Sequence, residues 1–311
     1  MSRIVIVHPH CANPNVGSVR AYALEPAKWL TSLGHLASVV RDIQSAKLLN
    51  PDIVICVNIG IFSEKYSLVN NAMDPKIRWV GLQSDGPQAT DEVLQKLSII
   101  LTDSEFLLTT IPQRFRHKTI YIDDALDFNP DFYKPHTHPK RKLRLVWIGS
   151  GGNYFFADSI ITELKKGGWY VDVISDPSIP IALPWTIDGA PKLVNEYDVG
   201  IVPYPENLTI VDPRSFTRWR YKDNSRSLLI QAVGLPVVCS PLPSHLLYIK
   251  HGQTGLIANT IFDWKNALED LQNDESLYNS LAANGYKQAV ETAHPNVLKA
   301  KWKSIIDRAL T

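Results

Sequence analysis

Short runs of apolar, largely β-branched residues alternate along the chain with longer segments in which apolar residues recur at helical spacing. Residues 3–7 (RIVIV) form the first run, which is typical of a strand buried on both faces of a sheet. Similar runs occupy residues 35–40, 52–57, 78–82, 99–102 and 119–122. The spacing predicts a helix over residues 20–33. Strands that alternate with helices indicate βαβ units and a mainly parallel sheet.

The same alternation restarts after a stretch that interrupts it. Residues 128–142 (FNPDFYKPHTHPKRK) are rich in Pro and charge and have no apolar period. Beyond them we predict strands at residues 143–148, 170–174, 198–203 and 236–240, and helices at residues 154–166, 225–233, 264–271, 275–292 and 295–310. The chain therefore contains two stretches of α/β pattern.

Chain length agrees with two domains. A chain of 311 residues is too long for one typical core and suits two domains of about 150 residues each. We predict an α/β protein with two Rossmann-like domains that face each other across a cleft. The predicted divisions are an N-terminal domain, a linker, a C-terminal domain and a terminal helix, at residues 1–130, 131–142, 143–294 and 295–311.

The net charge and the cysteines argue against several classes of function for this protein. The formal net charge of +1 argues against bulk attraction to nucleic acid or to an anionic membrane. Cys11, Cys56 and Cys239 are far apart and odd in number, so they suggest neither a disulfide framework nor a zinc site. No apolar stretch reaches the about 20 residues that span a bilayer, and the N-terminus does not read as a signal peptide. We expect a cytoplasmic protein.

A glycine-rich loop at residues 149–153 (GSGGN) follows one predicted strand and precedes a predicted helix. This order presents backbone N–H groups and a helix N-terminus to an anionic group, and a glycine lets a phosphate approach closely. Tyr154 stands where a full G-x-G-x-x-G pattern has its last glycine. Asp176, at the end of the next strand, is a candidate acceptor for a ribose hydroxyl. The candidate donor-binding residues here are Gly149, Gly151, Gly152, Asn153 and Asp176. The alternative interpretation is that this loop is a tight turn that binds no ligand.

A basic segment precedes the predicted helix at residues 225–233. Its cations are Arg214, Arg218, Arg220, Lys222 and Arg226. Ser225 and Ser227 can cap or donate at the helix start, and Asn224 directly precedes them. Cations gathered at a positive helix end make a site for a diphosphate. The alternative is a solvated basic loop.

Residues 198–256 resemble the donor-binding half of GT-B-fold glycosyltransferases, especially the retaining group 1, family 4-like enzymes. Those proteins carry a strand ending in D-x-x-x-x-P, a basic residue upstream of the phrase A-x-G-x-P-V-V, and a later G-x-x-G turn. The matches are Asp198 with Pro203, Arg226 with Gly234, residues 232–238, and Gly252 with Gly255. In this family the last helix usually crosses back to the N-terminal domain, as we expect for residues 295–311.

The sequence departs from the family at one feature of the donor site. Members of the retaining group commonly carry two spaced glutamates, one near the sugar and one that binds the ribose hydroxyls. Tyr221 and Leu229 occupy those positions here, and Glu206 is the only substitute we suggest. Neutralisation of the phosphates then falls to Lys222, Arg226 and Arg20.

The resemblance implies transfer of a sugar from a nucleotide-sugar donor to an unknown acceptor, which could be a glycan, a lipid-linked molecule or a small molecule. It implies retention, and it implies neither a cofactor nor a metal, because Arg and Lys carry the charge. The candidate catalytic residues are Asp85, which could orient an acceptor hydroxyl, Lys222 and Arg226. The candidates on the acceptor side are His10, Gly17, Ser18 and Arg20.

Two further functions stay open at this point. A non-catalytic GT-B-fold protein that binds a sugar or a partner would account for the missing glutamates, and it would bind a nucleotide without turnover. A dinucleotide-dependent oxidoreductase would use residues 149–152 and Asp176. No Tyr-x-x-x-Lys proton-transfer pair accompanies that loop, and a missing nicotinamide fluorescence change would exclude this class.

Overall fold

A computed structural model describes residues 1–60, 73–84, 88–205 and 221–311. Its contacts divide the chain into two compact units. Unit 1 comprises Met1–Asp127, Tyr221–Asp223 and Ala293–Thr311. Unit 2 comprises Phe128–Arg220 and Asn224–Thr292, so it includes the segment 131–142 that we expected to be a linker.

Unit 1 is built on a parallel sheet. Its strands, within the described residues, are β1 (Arg3–Val7), β2 (Leu36–Val40), β3 (Ile53–Val57), β4 (Arg78–Gln83), β5 (Ile99–Thr102) and β6 (Thr119–Tyr121). They lie in the order β2-β1-β3-β4-β5-β6, and every neighbouring pair is parallel. Strand β3 is buried along its whole length, which explains its continuous apolar sequence IVICV.

The helices of unit 1 follow the strands. They are α1 (Gly17–Val19), a π-helical segment (Arg20–Leu24), α2 (Glu25–Ser32), α3 (Ile43–Leu48), α4 (Asp91–Lys96), α5 (Glu105–Thr110) and a 3₁₀ segment (Gln113–Lys118). The first helical run begins at Gly17, so the predicted start at Arg20 was wrong. Pro26 lies just after the π-helical segment. Proline has no N–H for the helical ladder and crowds the preceding turn, and a locally widened helix accommodates it.

Unit 2 contains a second parallel sheet. Its strands in the described part of the chain are β7 (Arg144–Ile148), β8 (Tyr170–Ser175), β9 (Leu183–Pro184), β10 (Val199–Val202), β11 (Val237–Cys239) and β12 (Leu256–Ile257). Their order is β12-β11-β10-β7-β8-β9. The chain therefore builds outward from β7 through β8 and β9, returns to β10 beside β7, and builds outward on the other side. This is the strand order of dinucleotide-binding domains.

The helices of unit 2 pack around this sheet. They are α6 (Gly151–Lys166), α7 (Ala190–Val194), α8 (Ser225–Ala232), α9 (Pro243–Tyr248), α10 (Ile261–Asn273) and α11 (Glu275–Ala293), with a 3₁₀ turn at Pro130–Phe132. Helix α6 begins at Gly151, so the predicted start at Tyr154 was wrong. Trp147, Trp264 and Tyr278 are fully buried and belong to the core of this unit.

Helix α12 (Pro295–Leu310) belongs to unit 1, where it packs on α2 and β4. Trp302 is buried in this contact region, and Lys301 forms an ion pair with the buried Asp123 at 2.7 Å. Of the helices in the described parts of the chain, none has both the length and the apolar character needed to cross a membrane. The predicted α/β class with two parallel sheets is confirmed.

Candidate functional site

The strand order of unit 2 points to one place on its sheet. The chain reverses its direction of travel across the sheet between β7 and β10, and the loops after these two strands diverge there. Ligands of open parallel sheets bind beyond the carboxyl ends of the strands at such a point. The glycine-rich segment 149–153, which includes the start of α6, follows β7, and Pro203 and Tyr204 follow β10. The candidate donor-binding loop therefore lies at the switch point.

Arg226, in the first turn of α8, reaches this point. Its Nη2 donates a hydrogen bond to the hydroxyl of Tyr204. Its guanidinium carbon lies 5.1 Å from the centre of the Tyr204 ring and 6.0 Å from the centre of the Trp147 ring. Both distances are within the range of cation–π attraction. We call this group, Arg226 with Tyr204 and Trp147, the arginine clamp.

Gly149 leaves room for the clamp. A Cβ atom at this position would lie 2.8 Å from two atoms of the Trp147 ring and 3.5 Å from Nη1 of Arg226. Trp147 is fully buried, so its ring has little freedom to move aside. Glycine is therefore needed here because the side chain of the preceding strand and that of Arg226 already fill the space.

Tyr204 is held in place by the neighbouring strand. Its backbone N–H donates to Oγ of Ser240 at 2.8 Å, and the Ser240 hydroxyl donates back to the Tyr204 carbonyl at 3.0 Å. Ser240 directly follows β11, and its own carbonyl accepts a hydrogen bond from Nδ1 of His245 at 2.7 Å. Tyr204, Ser240 and His245 are all buried. The clamp therefore rests on a rigid support made by two adjacent strand ends.

The start of α8 adds a second positive element. The first bond of its ladder runs from the Leu228 amide to the Asn224 carbonyl at 2.9 Å, so the preceding amides project from the helix end. Among the described residues, the Asn224 side chain makes no capping hydrogen bond. The positive end of a helix dipole favours an anion. Ser225 is half-buried at this end, whereas Ser227 is fully buried beside the Cys239 thiol, whose pKa is raised by burial.

The start of α6 is occupied by Asp176. Oδ2 of Asp176 accepts a hydrogen bond from the Gly151 amide at 2.7 Å, and Oδ1 accepts one from the Ser178 amide at 3.0 Å. The Gly151 amide is the main cause of a lowered pKa for Asp176, so this carboxylate is charged at neutral pH. In this structure the candidate ribose ligand therefore caps α6. Asn153 bonds through Nδ2 to Ser150 at 3.0 Å, and Gly152 is exposed.

In unit 1, the candidate residues of the loop after β1 are organised by His8. The amide of His10 donates to Nδ1 of His8 at 3.1 Å, so the neutral ring carries its proton on Nε2. Nε2 lies 3.0 Å from Oγ of Ser18 and donates to it. Burial, together with the nearby His10, lowers the pKa of His8 to about 4. His8 therefore fixes the position of Ser18, next to Gly17 at the start of α1.

The other candidate cations in the described residues, Arg20 and Lys222, belong to unit 1. Arg20 forms an ion pair with Asp127 and donates through Nη1 to the Pro14 carbonyl at 2.6 Å. Lys222 lies in the segment Tyr221–Asp223, which belongs to unit 1, whereas Arg226 belongs to unit 2. Of the predicted cations in described residues, Arg226 is the one that the structure places in the site of unit 2.

Several predicted residues lie outside the described part of the chain. They are Asp85, the candidate that would orient an acceptor hydroxyl, Glu206, the suggested ribose ligand, and the cations Arg214, Arg218 and Arg220. Two residues of the clamp were not singled out from sequence, namely Trp147 and Tyr204. The available signal was their position, because each stands at or directly beyond the carboxyl end of a predicted strand that flanks the switch point.

Comparison with known proteins bears on the fold. No model of a protein family matches the chain, and no curated protein matches it in sequence. Solved structures do match. Sucrose-phosphate synthase from Thermosynechococcus elongatus aligns over 99% of this chain and 99% of its own, with a TM-score of 0.69 and 10% identity. A glycosyltransferase from Rickettsia africae aligns over 98% of both chains, with a TM-score of 0.65 and 12% identity.

A third structure is HepE from Anabaena in complex with UDP-glucose. It aligns over 99% of this chain and 100% of its own, with a TM-score of 0.65 and 10% identity. The chain has the GT-B fold. The resemblance to GT-B glycosyltransferases predicted from residues 198–256 is thus confirmed at the level of the fold. At these identities, what the GT-B proteins and this chain demonstrably share is the architecture of two parallel α/β sheets.

Proposed function

We propose that this protein is a glycosyltransferase that takes a hexosyl group from a nucleotide-sugar donor and transfers it to an acceptor with retention and without a metal ion. The observation that carries the proposal is the arginine clamp beside the start of α8, at the switch point of the unit 2 sheet. A cation and a helix N-terminus at one place are suited to a diphosphate, which carries several negative charges.

The proposed chemistry needs stabilisation of a leaving group. The bond between the anomeric carbon and the diphosphate oxygen breaks while a bond to the acceptor oxygen forms, and the acceptor proton passes to the departing diphosphate. Negative charge therefore grows on the diphosphate in the transition state, and fixed donors aimed at it lower the barrier. Arg226 and the amides at the start of α8 would bind this group in unit 2. Lys222 is proposed as a further cation for the same charge.

The structural neighbours support the nature of the donor. HepE has been solved with UDP-glucose bound, and the fold of this chain matches it over nearly the whole length. Retention is proposed from the resemblance of residues 198–256 to the retaining group. Independence from metal is proposed because Arg226 and the helix end already supply positive charge. For the acceptor we propose contacts with His10, Gly17, Ser18 and Arg20, and Asp85 as the residue that orients the acceptor hydroxyl.

The test is a binding measurement with a matched control. Thermal shift would be recorded for wild type, Arg226→Ala and Arg144→Ala with UDP, ADP, GDP and their glucose derivatives. Arg144 is a suitable control because its guanidinium, like that of Arg226, lies over two aromatic rings (here tyrosines, at 4.8 and 5.8 Å), but at the amino end of β7. A ligand at 100 times its Kd stabilises the folded state by about 2.7 kcal/mol, which this assay detects.

We expect one nucleotide to raise the melting temperature of wild type and Arg144→Ala by similar amounts, and that of Arg226→Ala by clearly less. Release of free sugar from the matching nucleotide-sugar, followed by NMR of the anomeric proton in the presence and absence of EDTA, then tests turnover, retention and metal independence. Binding without turnover would favour the non-catalytic alternative. If no nucleotide shifts the wild type, the proposal is wrong.

A further inference from the structure

We propose that Tyr204 is a positioning residue that holds Arg226 in the orientation needed for diphosphate binding. The inference rests on the function proposed above and goes beyond it, because it assigns part of the affinity of the site to a tyrosine that acts through Arg226. The relevant contacts are the hydrogen bond from Nη2 of Arg226 to the Tyr204 hydroxyl and the position of the guanidinium over the Tyr204 ring.

A free arginine side chain is a poor anchor for a ligand because it must give up many rotamers when it binds. In this structure the hydroxyl of Tyr204 fixes one edge of the guanidinium, and Trp147 lies beside it at 6.0 Å. The guanidinium carries five N–H donors, so a bond to Tyr204 leaves others for an anion. Arg226 is therefore already ordered before a ligand arrives, which removes part of the entropic cost of binding.

The support for Tyr204 is itself ordered. Reciprocal hydrogen bonds with Ser240 fix the backbone of Tyr204 at both its N–H and its carbonyl. Tyr204 is 2% exposed, so its ring is fixed by packing as well. Changing the hydroxyl alone should leave this support intact. Tyr204→Phe keeps the ring and removes the hydroxyl that accepts the hydrogen bond from Arg226.

The chain offers a matched control at the amino ends of the strands of the same sheet. Tyr197 is also buried, its hydroxyl donates to Oδ2 of Asp172 at 2.6 Å, and Arg144 lies over its ring at 4.8 Å. Tyr197→Phe therefore removes a buried tyrosine hydroxyl next to a stacked arginine without touching the clamp. Any general effect of losing such a hydroxyl should appear in both variants.

The experiment is a double-mutant cycle on Tyr204 and Arg226, read as the Kd of UDP, ADP and GDP by isothermal titration calorimetry. For whichever of the three binds wild type, we expect Tyr204→Phe to weaken binding about fivefold, as for the net loss of one hydrogen bond. Tyr197→Phe should leave the Kd unchanged. In the Arg226→Ala background, Tyr204→Phe should have no further effect, because coupled residues are not additive. Melting curves without ligand monitor folding of each variant.

The outcomes separate this inference from the proposed function. If wild type binds none of the three nucleotides, the proposed function fails and the inference fails with it. If Arg226→Ala weakens binding but Tyr204→Phe binds as wild type does, the site stands and the positioning role is refuted. An equal loss from Tyr204→Phe in the wild-type and Arg226→Ala backgrounds would also refute it, because Tyr204 would then act independently of Arg226.

Discussion

Replacing Gly149 with Ala tests whether the clamp is built as tightly as the distances indicate. The added Cβ would lie 2.8 Å from both Cη2 and Cζ2 of Trp147, closer than a Cβ normally approaches another atom. The Trp147 ring is fully buried and packs edge-on against Tyr154, with ring centres 5.5 Å apart. Neither the ring nor the strand that carries it can yield without loss of packing.

The expected cost follows from this overlap. Overpacking a well-packed core destabilises by about 1–3 kcal/mol. For a folding unit of this size, each kcal/mol lowers Tm by about 2–4 °C. The new methyl group also lies 3.5 Å from Nη1 of Arg226, and Trp147 lies beside the same guanidinium. The substitution should therefore disturb the position of Arg226. We therefore expect Gly149→Ala to lower Tm and to weaken nucleoside diphosphate binding together.

Gly152→Ala is the matched control from the same glycine-rich segment. A Cβ at Gly152 has no atom within 4 Å, and this residue lies in the first turn of α6. Alanine is favoured over glycine in a helix by about 0.5–1 kcal/mol, so this variant should be as stable as wild type or slightly more stable. Calorimetric melting and UDP titration of both variants would be compared. If Gly149→Ala has the same Tm as Gly152→Ala, the close packing argued for the clamp is wrong.

Two further predictions concern stability. Gly234 has a φ of +88°, and a Cβ there would overlap the carbonyl of Lys134, so Gly234→Ala should cost more than about 3 kcal/mol in urea unfolding. Gly252→Ala, at φ +75° with open space around it, should cost only about 1 kcal/mol. His8 takes up its proton near pH 4 when folded but near pH 6.5 when unfolded, so the unfolded chain binds more protons between these values. The unfolding free energy should fall as pH drops from 6.5 to 4, and His8→Gln should flatten this slope. An unchanged slope would contradict the buried, neutral His8.

The strands of both sheets could be predicted because a strand buried on both faces must be apolar at nearly every position. The run RIVIV of β1 coincides with the strand in the structure. The very short edge strands β9 and β12 were not predicted, because two residues carry no period. Their pairing is decided by the neighbouring strands rather than by their own sequence.

Three helices begin three residues before their predicted starts: the helical run at Gly17, α6 at Gly151, and α10 at Ile261 rather than Trp264. Gly17 and Gly151 read as loop residues, yet each begins a helix. At Gly151 the reason is tertiary, because its amide bonds to Asp176, a residue from the end of a different strand. The same limit applies to the site. Arg226 could be predicted from its local pattern, whereas Tyr204 gains its role only when the fold brings it to Arg226.

An arginine lies over a tyrosine ring at both the amino ends and the carboxyl ends of the central strands of the unit 2 sheet. Comparing the two pairs shows what makes one of them a candidate site. At the amino edge, Arg144 lies over Tyr197 and donates to the Glu196 carbonyl at 3.2 Å, so that arginine is used to satisfy the backbone. At the carboxyl edge, Arg226 lies over Tyr204 beside a helix N-terminus and a loop whose glycine keeps the space open. The residue types are the same, but the second pair lies beyond the carboxyl ends of parallel strands. Helices begin there, and the backbone amides of their first turns suit an anion. Topology, more than the identity of the two side chains, therefore makes Arg226 the candidate anion-binding arginine.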